Sequence, residues 1–139
     1  MLSDQAGMFL MDNHHGVLAT HRLNGGLQMS VVTCGPYEEG VAFTTTKDRA
    51  KLKNLQRDRR CGLLVSRDSW RGYLGIDGRA RLLSPENTDA EMLRRALREV
   101  YRAAAGKEHP DWTEYDYAMV QELRVVVLLV PEKVYGPMA

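Results

Sequence analysis

Residues 16–46 read GVLATHRLNGGLQMSVVTCGPYEEGVAFTTT, and this stretch decides the fold class of the chain. Runs rich in Val, Leu and Thr alternate with residues that favour turns, first Asn24-Gly25-Gly26 and then Gly35-Pro36. The pattern predicts three strands, of which the first two form a hairpin: 16–23, 27–34 and 41–46. Strands this closely spaced indicate an antiparallel sheet, because parallel strands need long crossover connections.

The rest of the chain adds helices and three more strands. The further strands are predicted at 61–66, 70–83 and 124–130, and the glycines of the middle one, Gly72, Gly75 and Gly78, indicate sharp coiling or a bulge. Helices are predicted over 3–12, over 47–55, from Ser84-Pro85-Glu86 onward and from Asp111 onward, with caps at Ser3, Asp48 and Asp111. We therefore expect one domain over 1–139 that is mainly β, with six strands in a barrel or sandwich and helices packed outside.

The composition and net charge of the chain exclude some classes of binding partner. The chain has 19 Lys and Arg against 18 Asp and Glu, a net charge of +1, so no global field recruits nucleic acid or an acidic membrane. The first residues lack the pattern of a secretion signal, and the longest apolar run, 125–130, is far too short to span a bilayer. We expect a cytoplasmic protein in which Cys34 and Cys61 are buried thiols. The histidines show no metal-ligand spacing, so no metal site is expected.

The segment 43–54, FTTTKDRAKLKN, carries the clearest functional signal. A strand that ends in three threonines leads into a helix that carries Arg49, Lys51 and Lys53. Hydroxyl groups, free N–H groups at a helix N-terminus and nearby cations are the groups that bind a phosphate. Lys51 and Asn54 share a helix face, whereas Arg49 joins them only if the phosphate sits off the first turn. A solvated basic helix face has the same pattern, and these residues alone do not separate the two interpretations.

Other chemical motifs contribute little. The sequence contains no GxSxG, no GxGxxG and no P-loop pattern, which removes the usual hydrolase, Rossmann and NTPase classes. Ser30 and Cys34 lack the sequence context of a nucleophile, so no catalytic residue is assigned. Trp70 begins a glycine-rich strand, where it could stack on an aromatic ligand or serve only in packing.

With these residues considered, the chain resembles the pyridoxamine 5′-phosphate oxidase-like split β-barrel proteins, and in particular the branch that uses the deazaflavin coenzyme F420. The run RAKLKNLQRDRR at 49–60 is similar to the signature R-x-K-x-x-N-L-x-R-D-P-R, with Arg59 in place of Pro. The remaining similarities are to the first strand at 16–20, the helical segment at 111–119 and the closing residues at 134–136. Residues 134–139 lack the Arg- and His-bearing tail of true pyridoxamine phosphate oxidases, so vitamin B6 oxidation is not expected.

The resemblance implies a six-stranded antiparallel split β-barrel of the FMN-binding type, and a homodimer with two cofactor sites at the subunit interface. By this resemblance Arg49, Lys51 and Asn54 would bind the phosphate end of the cofactor. Thr45 and Thr46 would add hydroxyl or backbone contacts. One strand would lie along the cofactor ring and contact it largely through backbone atoms: Met29, Ser30, Val31, Val32 and Thr33. Trp70 would approach the site from the partner subunit.

The activity implied is that of an F420-dependent oxidoreductase, which transfers a hydride to an electron-poor C=C, C=N or C=O group of a small organic substrate. The cofactor carries the difficult step, and the protein positions and tunes it. One alternative is FMN, which ends at its phosphate, whereas F420 continues into a tail that carries carboxylates. Cations beyond the phosphate site, such as Lys53, Arg57 or Arg59, would favour the longer cofactor. A second alternative is a non-enzymatic protein that carries the cofactor or senses its redox state.

Overall fold

A computed structural model describes residues 2–139, and within them the chain forms seven strands and four helices. The strands are β1 (His15–His21), β2 (Leu27–Thr33), β3 (Gly35–Tyr37), β4 (Gly40–Thr46), β5 (Arg60–Ser66), β6 (Tyr73–Leu83) and β7 (Arg124–Tyr135). The helices are α1 (Asp4–Asp12), α2 (Ala50–Arg57), α3 (Ala90–Ala105) and α4 (Trp112–Gln121). No helix among these residues is long and apolar enough to cross a membrane.

The strands make one antiparallel sheet in the order β2-β1-β5-β6-β7-β4-β3, which curls into a split barrel. The expected fold class is therefore confirmed. The hairpin between β1 and β2 turns at Gly25, whose φ of 88° is the left-handed conformation that this turn requires. The register of β6 on β7 shifts between Asp77 and Gly78, so the bulge that the glycines predicted is present.

The expected number of strands was wrong, because β3 was interpreted as a break at Gly35-Pro36. Pro36 cannot donate a backbone hydrogen bond, and it is tolerated here because β3 is the edge strand beyond β4. Gly35 lets this short strand pack directly on α3, since a Cβ there would lie 2.3 Å from the carbonyl carbon of Ala103. Both residues act as strand residues at a crowded edge.

Two element boundaries also differ from expectation. The helix expected from Ser84 begins instead at Ala90, because Asn87 closes a turn by accepting a hydrogen bond from the Ser84 backbone N–H at 2.9 Å. The strand expected from Trp70 begins at Tyr73, since Trp70 itself has a positive φ of 63°. The caps expected at Ser3 and Asp111 are confirmed, and each accepts a backbone N–H of its own helix at 3.1 Å.

Two apolar clusters lie on opposite faces of the sheet. The first fills the interior of the barrel and includes Leu18, Phe43 and Ile76. The second lies between the outer face of β4 and β7 and the helices α3 and α4, where Leu97 and Val100 pack near Leu128. Helices α3 and α4 therefore cover the outer face of β4 and β7, whereas α1 and α2 contribute Leu10, Leu52 and Leu55 to the interior cluster.

Within residues 2–139 no helix covers the outer face of β2, β1 and β5, and apolar side chains are exposed on it. Leu27, Met29 and Val31 alternate along β2 and are each more than half exposed. In the strand register Val31 pairs with Val17, which pairs with Leu64 on β5. Apolar residues thus continue across three strands on a face that this chain leaves open.

Candidate functional site

A cavity of about 600 Å³ lies where the two ends of the curled sheet approach each other. Its strand side is formed by two groups of residues, Val31, Val32 and Thr33 on β2 and Thr44, Thr45 and Thr46 on β4. Its helical side includes Tyr101 on α3 and Tyr115 and Met119 on α4. The volume falls within the range of clefts that bind cofactors and small substrates.

Three cations line one part of this cavity: Arg49, Lys51 and Arg124. Burial holds the pKa of Lys51 below its ordinary value, and the positive charges of Arg49 and then Arg124 lower it further. Within residues 2–139, no carboxylate forms an ion pair with Arg49 or Lys51. Positive charges that repel one another without a paired anion indicate a site for an anionic ligand.

The start of α2 explains how Arg49 joins Lys51. The cap expected at Asp48 was wrong, because Asp48 instead accepts a hydrogen bond from the Thr46 hydroxyl at 2.7 Å. Arg49 is the residue that precedes the first turn, its backbone is extended (φ −73°, ψ 142°), and no side chain caps the helix. Arg49 is therefore outside the regular helix, which removes the directional conflict with Lys51, and the first N–H groups of α2 are left without a capping side chain.

Arg124 is a site residue that the sequence reasoning missed. It begins β7 and pairs with Thr46 at the end of β4, and its guanidinium donates a hydrogen bond to the Thr44 hydroxyl at 3.4 Å. It also pairs with Glu122 at 3.0 Å. Arg124 is 80 residues from Thr44 along the chain, so only the pairing of β4 with β7 brings it to the cavity. A basic residue at the start of a strand does not by itself predict a binding site.

The threonines of β4 divide between the two faces of the sheet. Thr45 pairs with Val125 and is buried on the side of the barrel interior. Thr44 and Thr46 lie on the opposite face, which is the face that carries Arg124. All three threonines line the cavity, and the expected contribution of Thr45 and Thr46 stays a prediction.

The residues expected along β2 are also divided by the alternation of the strand. Val31, Val32 and Thr33 line the cavity, whereas Met29 and Ser30 do not. Ser30 pairs with the buried Leu18, so its side chain is on the interior face, and its hydroxyl oxygen is buried with no hydrogen-bond partner among the described residues. Met29 is exposed on the outer face. Because these side chains point to both faces of the sheet, a single ligand can contact all of residues 29–33 only through their backbone atoms.

Two further predicted residues lie away from the cavity. Asn54 is 8% exposed and donates a hydrogen bond from Nδ2 to the Thr20 hydroxyl at 3.1 Å, while its Oδ1 accepts one from Arg57 at 3.2 Å. Trp70 is 72% exposed in the turn between β5 and β6. Neither residue lines the cavity of its own chain.

The helical wall carries an aromatic cluster that packs edge to face. Tyr101 lies 5.1 Å from His109, 5.7 Å from Trp112 and 5.2 Å from Tyr115, measured between ring centroids. The Tyr115 hydroxyl donates to the Leu97 carbonyl at 2.8 Å, and burial raises the pKa of Tyr115 above its ordinary value. Of this cluster, Tyr101, His109 and Tyr115 line the cavity. The cap expected at Asp111 was the sequence signal nearest to them.

The arrangement fits a planar ligand that carries an anion. Cations and threonines come from the start of α2, the end of β4 and the start of β7. The remaining walls are formed by apolar residues of β2 and by the helical side, which carries aromatic rings and Glu114. The described residues include no activated thiol, because burial raises the pKa of Cys34 and of Cys61 to about 12. Such a site binds and orients a group that brings its own chemistry.

Comparison with known proteins agrees with this geometry. The family profile described as Pyridoxamine 5′-phosphate oxidase matches residues 2–136. Three solved structures share the fold, each at 20% sequence identity or less, so the likeness concerns the fold alone. The conserved hypothetical protein Rv2991 from Mycobacterium tuberculosis has a TM-score of 0.78 and 20% identity, over 99% of this chain and 86% of that chain.

The other two structures have different names and similar coverage. A protein named F420 Reductase has a TM-score of 0.66 and 18% identity, over 96% of this chain and 98% of that chain. General Stress Protein 26 from Bacillus anthracis strain Sterne has a TM-score of 0.63 and 15% identity, over 94% of this chain and 90% of that chain. The family that matches includes oxidoreductases and binds flavins such as FMN. Because its profile spans nearly the whole sequence, this chain belongs to the pyridoxamine 5′-phosphate oxidase family.

Proposed function

We propose that this protein is an F420-dependent oxidoreductase that transfers a hydride between the deazaflavin coenzyme and a small, electron-poor organic substrate. The observation that carries the proposal is the group formed by Arg49, Lys51 and Arg124 at one part of a cavity whose other walls are mainly apolar and aromatic, with Glu114 on the helical side. A phosphate at this group would neutralise charges that the described residues leave unpaired at Arg49 and Lys51.

The residues of the cavity divide into two roles. Arg49, Lys51 and Arg124 would hold the phosphate, together with Thr46 and the free N–H groups at the start of α2. The segment from Val31 to Thr33 would lie along the ring. When bound, the deazaflavin supplies the hydride; the side chains of the cavity orient it and exclude water from the substrate.

The choice of F420 over FMN is supported by cations outside the cavity. Lys53 and Arg59 have exposed side chains that form no ion pair or hydrogen bond among residues 2–139. They are available to the carboxylates of a longer tail, which FMN lacks. Arg57, by contrast, is occupied, because it donates to the His21 carbonyl at 2.6 Å and to Asn54. The structural likeness to a protein named F420 Reductase adds weak support.

A homodimer is part of the proposal. The exposed apolar row on β2, β1 and β5 would be covered by the same row of a second copy, since an open face of this kind is costly in water. The row ends at Val31, which also lines the cavity, so the partner would close the open side of the cofactor site. We propose that Trp70, which is exposed in its own chain, approaches the cavity of the partner.

Titration with the two cofactors tests the proposal. Purified protein is titrated with F420 and with FMN, followed by absorbance and by fluorescence of the cofactor, and its oligomeric state is measured by sedimentation. We expect one F420 per chain, weaker binding of FMN and a dimer. Tighter binding of FMN would show that the cofactor is FMN and not F420, and the assignment of the cavity as a cofactor site would stand. Failure to bind either cofactor would remove the proposed function.

Stopped-flow measurements then separate an enzyme from a carrier. Protein loaded with reduced F420 is mixed with cyclohex-2-en-1-one or with p-benzoquinone, and the reappearance of oxidised F420 is recorded. We expect oxidation faster than that of free reduced F420 at the same concentrations. Oxidation no faster than that of the free cofactor with every acceptor would indicate a carrier.

A further inference from the structure

We infer that His109 is a neutral hydrogen-bond donor that activates the substrate in the cavity, with its Nε2–H directed at the oxygen or nitrogen of the acceptor. The inference deepens the proposed function and rests on it. It assigns a role to a residue that lines the cavity and that the resemblance to a family did not mark.

The first step of the argument is the tautomer of the ring. The backbone N–H of Asp111 donates a hydrogen bond to His109 Nδ1 at 2.9 Å. A nitrogen that accepts a hydrogen bond carries no proton, so the proton of the neutral ring is on Nε2. Asp111 is itself held in place, because its carboxylate caps α4 by accepting the Glu114 N–H at 3.1 Å.

The second step is the rigidity of the surroundings. The His109 ring is half-buried and lies 5.1 Å from Tyr101, 5.7 Å from Trp112 and 5.2 Å from Tyr115, between centroids. The Arg102 guanidinium stacks over Trp112 at 4.7 Å. Arg102 also pairs with Glu108, the neighbour of His109, at 2.8 Å. A donor held in this way does not have to be reoriented when charge develops on the substrate.

The third step compares His109 with the aromatic and charged donors of the cavity. The hydroxyls of Thr33, Thr44 and Thr45 belong to its strand side. The Tyr115 hydroxyl donates to the Leu97 carbonyl, and the Thr46 hydroxyl donates to Asp48. Arg49, Lys51 and Arg124 are assigned to the anion. Tyr101 is the remaining aromatic hydroxyl of the cavity, and it forms no hydrogen bond among the described residues. The choice between His109 and Tyr101 can therefore be made by experiment.

The chemistry assigned to His109 follows from its protonation state. When an enone or quinone is reduced, a hydride with its electron pair adds to carbon, and the π electrons move onto the carbonyl oxygen. The Nε2–H of His109 donates a hydrogen bond to that oxygen as negative charge develops on it. Water then supplies the proton that completes the product, and the reduced deazaflavin that supplied the hydride is oxidised by two electrons. His109 keeps its own proton throughout.

The test compares two substitutions, each of which keeps the hydrogen-bonding role of one ring nitrogen. His109→Asn keeps an acceptor for the Asp111 N–H and removes the distal donor, whereas His109→Gln places an amide N–H near the position of Nε2. Tyr101→Phe tests the rival hydroxyl, and Tyr117→Phe removes an exposed hydroxyl elsewhere on α4 as a control. For each variant we measure F420 affinity, and kcat and KM for cyclohex-2-en-1-one with bound reduced F420.

We expect His109→Asn to lower kcat by on the order of 100-fold with little change in F420 affinity, as for the loss of one preorganised donor. His109→Gln should retain more of kcat than His109→Asn, Tyr101→Phe should lose less of kcat than His109→Asn, and Tyr117→Phe should behave like the parent. A parent-like kcat in His109→Asn, or a greater loss in Tyr101→Phe, would overturn the role of His109 while the proposed function stands. A parent protein that binds F420 but reduces nothing would remove the proposed function and this role together.

The tautomer is measured independently of activity. Two-dimensional NMR of the protein without cofactor, labelled with ¹⁵N at histidine, distinguishes protonated from unprotonated ring nitrogens. The histidine signals that are present in the spectrum of the parent and missing from that of His109→Asn belong to the His109 ring. We expect Nε2 to carry the proton and Nδ1 to be unprotonated at neutral pH. A proton on Nδ1 would overturn the inference whatever the kinetics show.

Discussion

Asn54 on α2 donates a buried hydrogen bond from Nδ2 to the hydroxyl of Thr20 on β1 at 3.1 Å. Arg57 strengthens this contact by donating both to Asn54 Oδ1 at 3.2 Å and to the carbonyl of His21 at 2.6 Å. Leu52 and Leu55 on the same helix are fully buried in the barrel core. Asn54 thus fastens α2 to the end of β1, and the position of α2 determines where Lys51 meets the cavity.

Asn54→Ala is therefore expected to act mainly on stability. The change leaves the buried Thr20 hydroxyl without its donor and should lower the free energy of unfolding by about 1–3 kcal/mol, measured by urea denaturation. Gln56→Ala, on the exposed side of the same helix, is the control and should stay close to the parent. If Asn54→Ala instead keeps its stability and loses cofactor affinity more than about tenfold, Asn54 is a phosphate ligand, as the resemblance implied.

Lys51→Met should have opposite effects on stability and binding. Burial and the charges of Arg49 and Arg124 lower the pKa of Lys51 from 10.5, so the folded protein holds this proton less tightly than the unfolded chain. Charged Lys51 therefore opposes folding at neutral pH, and the stability of the parent should rise as pH increases through its lowered pKa toward 10.5. We expect Lys51→Met to stabilise the cofactor-free protein at pH 7 by a few tenths of a kcal/mol, roughly, since the site is partly exposed.

The same substitution should weaken binding of F420 by on the order of 1–3 kcal/mol, because a charge-assisted contact is lost. Urea denaturation between pH 7 and 10 and fluorescence titration with F420 measure the two effects. Lys133→Met, on an exposed position of β7 outside the cavity, controls for the loss of a positive charge. A Lys51→Met protein that is less stable than the parent at pH 7, or that binds F420 equally well, contradicts the assignment of Lys51 to the anion site.

Gly35→Ala tests the close packing of β3 on α3. The new Cβ would lie 2.3 Å from the carbonyl carbon and oxygen of Ala103, so the strand or the helix must shift. We expect the free energy of unfolding to fall by about 1–3 kcal/mol, as for other overpacked sites. Gly7→Ala in α1 is the matched control, because nothing lies within 4 Å of a Cβ there, and it should raise stability by about 0.5–1 kcal/mol. Equal effects of the two changes would contradict the packing described.

Asp116 should contribute a stability that depends on pH. Hydrogen bonds from Arg98 hold the pKa of Asp116 below its ordinary value of 3.8, and Arg94 acts in the same direction. A lowered pKa in the folded state means that the contribution is present above pH 3.8 and is lost as pH falls through the folded value. Asp116→Asn should therefore have a lower urea midpoint than the parent at pH 7, and the difference should close in acid.

The control for this prediction is Glu91→Gln, which affects an exposed carboxylate paired with Arg94 and Arg95. Exposed pairs of this kind contribute little, so its midpoint should stay near that of the parent. A gap between Asp116→Asn and the parent that does not narrow at all as pH falls below 3.8 would assign the loss to packing between α3 and α4 instead of to the charge.

Some of the site could be predicted because it is local in the sequence. The strand before α2, the cations at Arg49 and Lys51 and the threonines that precede them are neighbours, and the alternation of a strand or the turn of a helix places neighbours. The same reasoning failed at Asp48, where a hydrogen bond from Thr46 competed with capping. It also missed β3, because the crowded contact between Gly35 and Ala103 involves a helix distant in the chain.

The sequence by itself determined the antiparallel hairpins, the mainly β class and a basic helix start after a run of threonines, since each depends on residues that are close together and on fixed backbone periods. Only the tertiary structure decided which of these residues share a cavity. The pairing of β4 with β7 brought Arg124 to Lys51, and the alternation of β2 turned Ser30 away from Val31. Packing of α2 on β1 occupied Asn54. These outcomes depend on the register and curvature of the whole sheet, which no single segment contains.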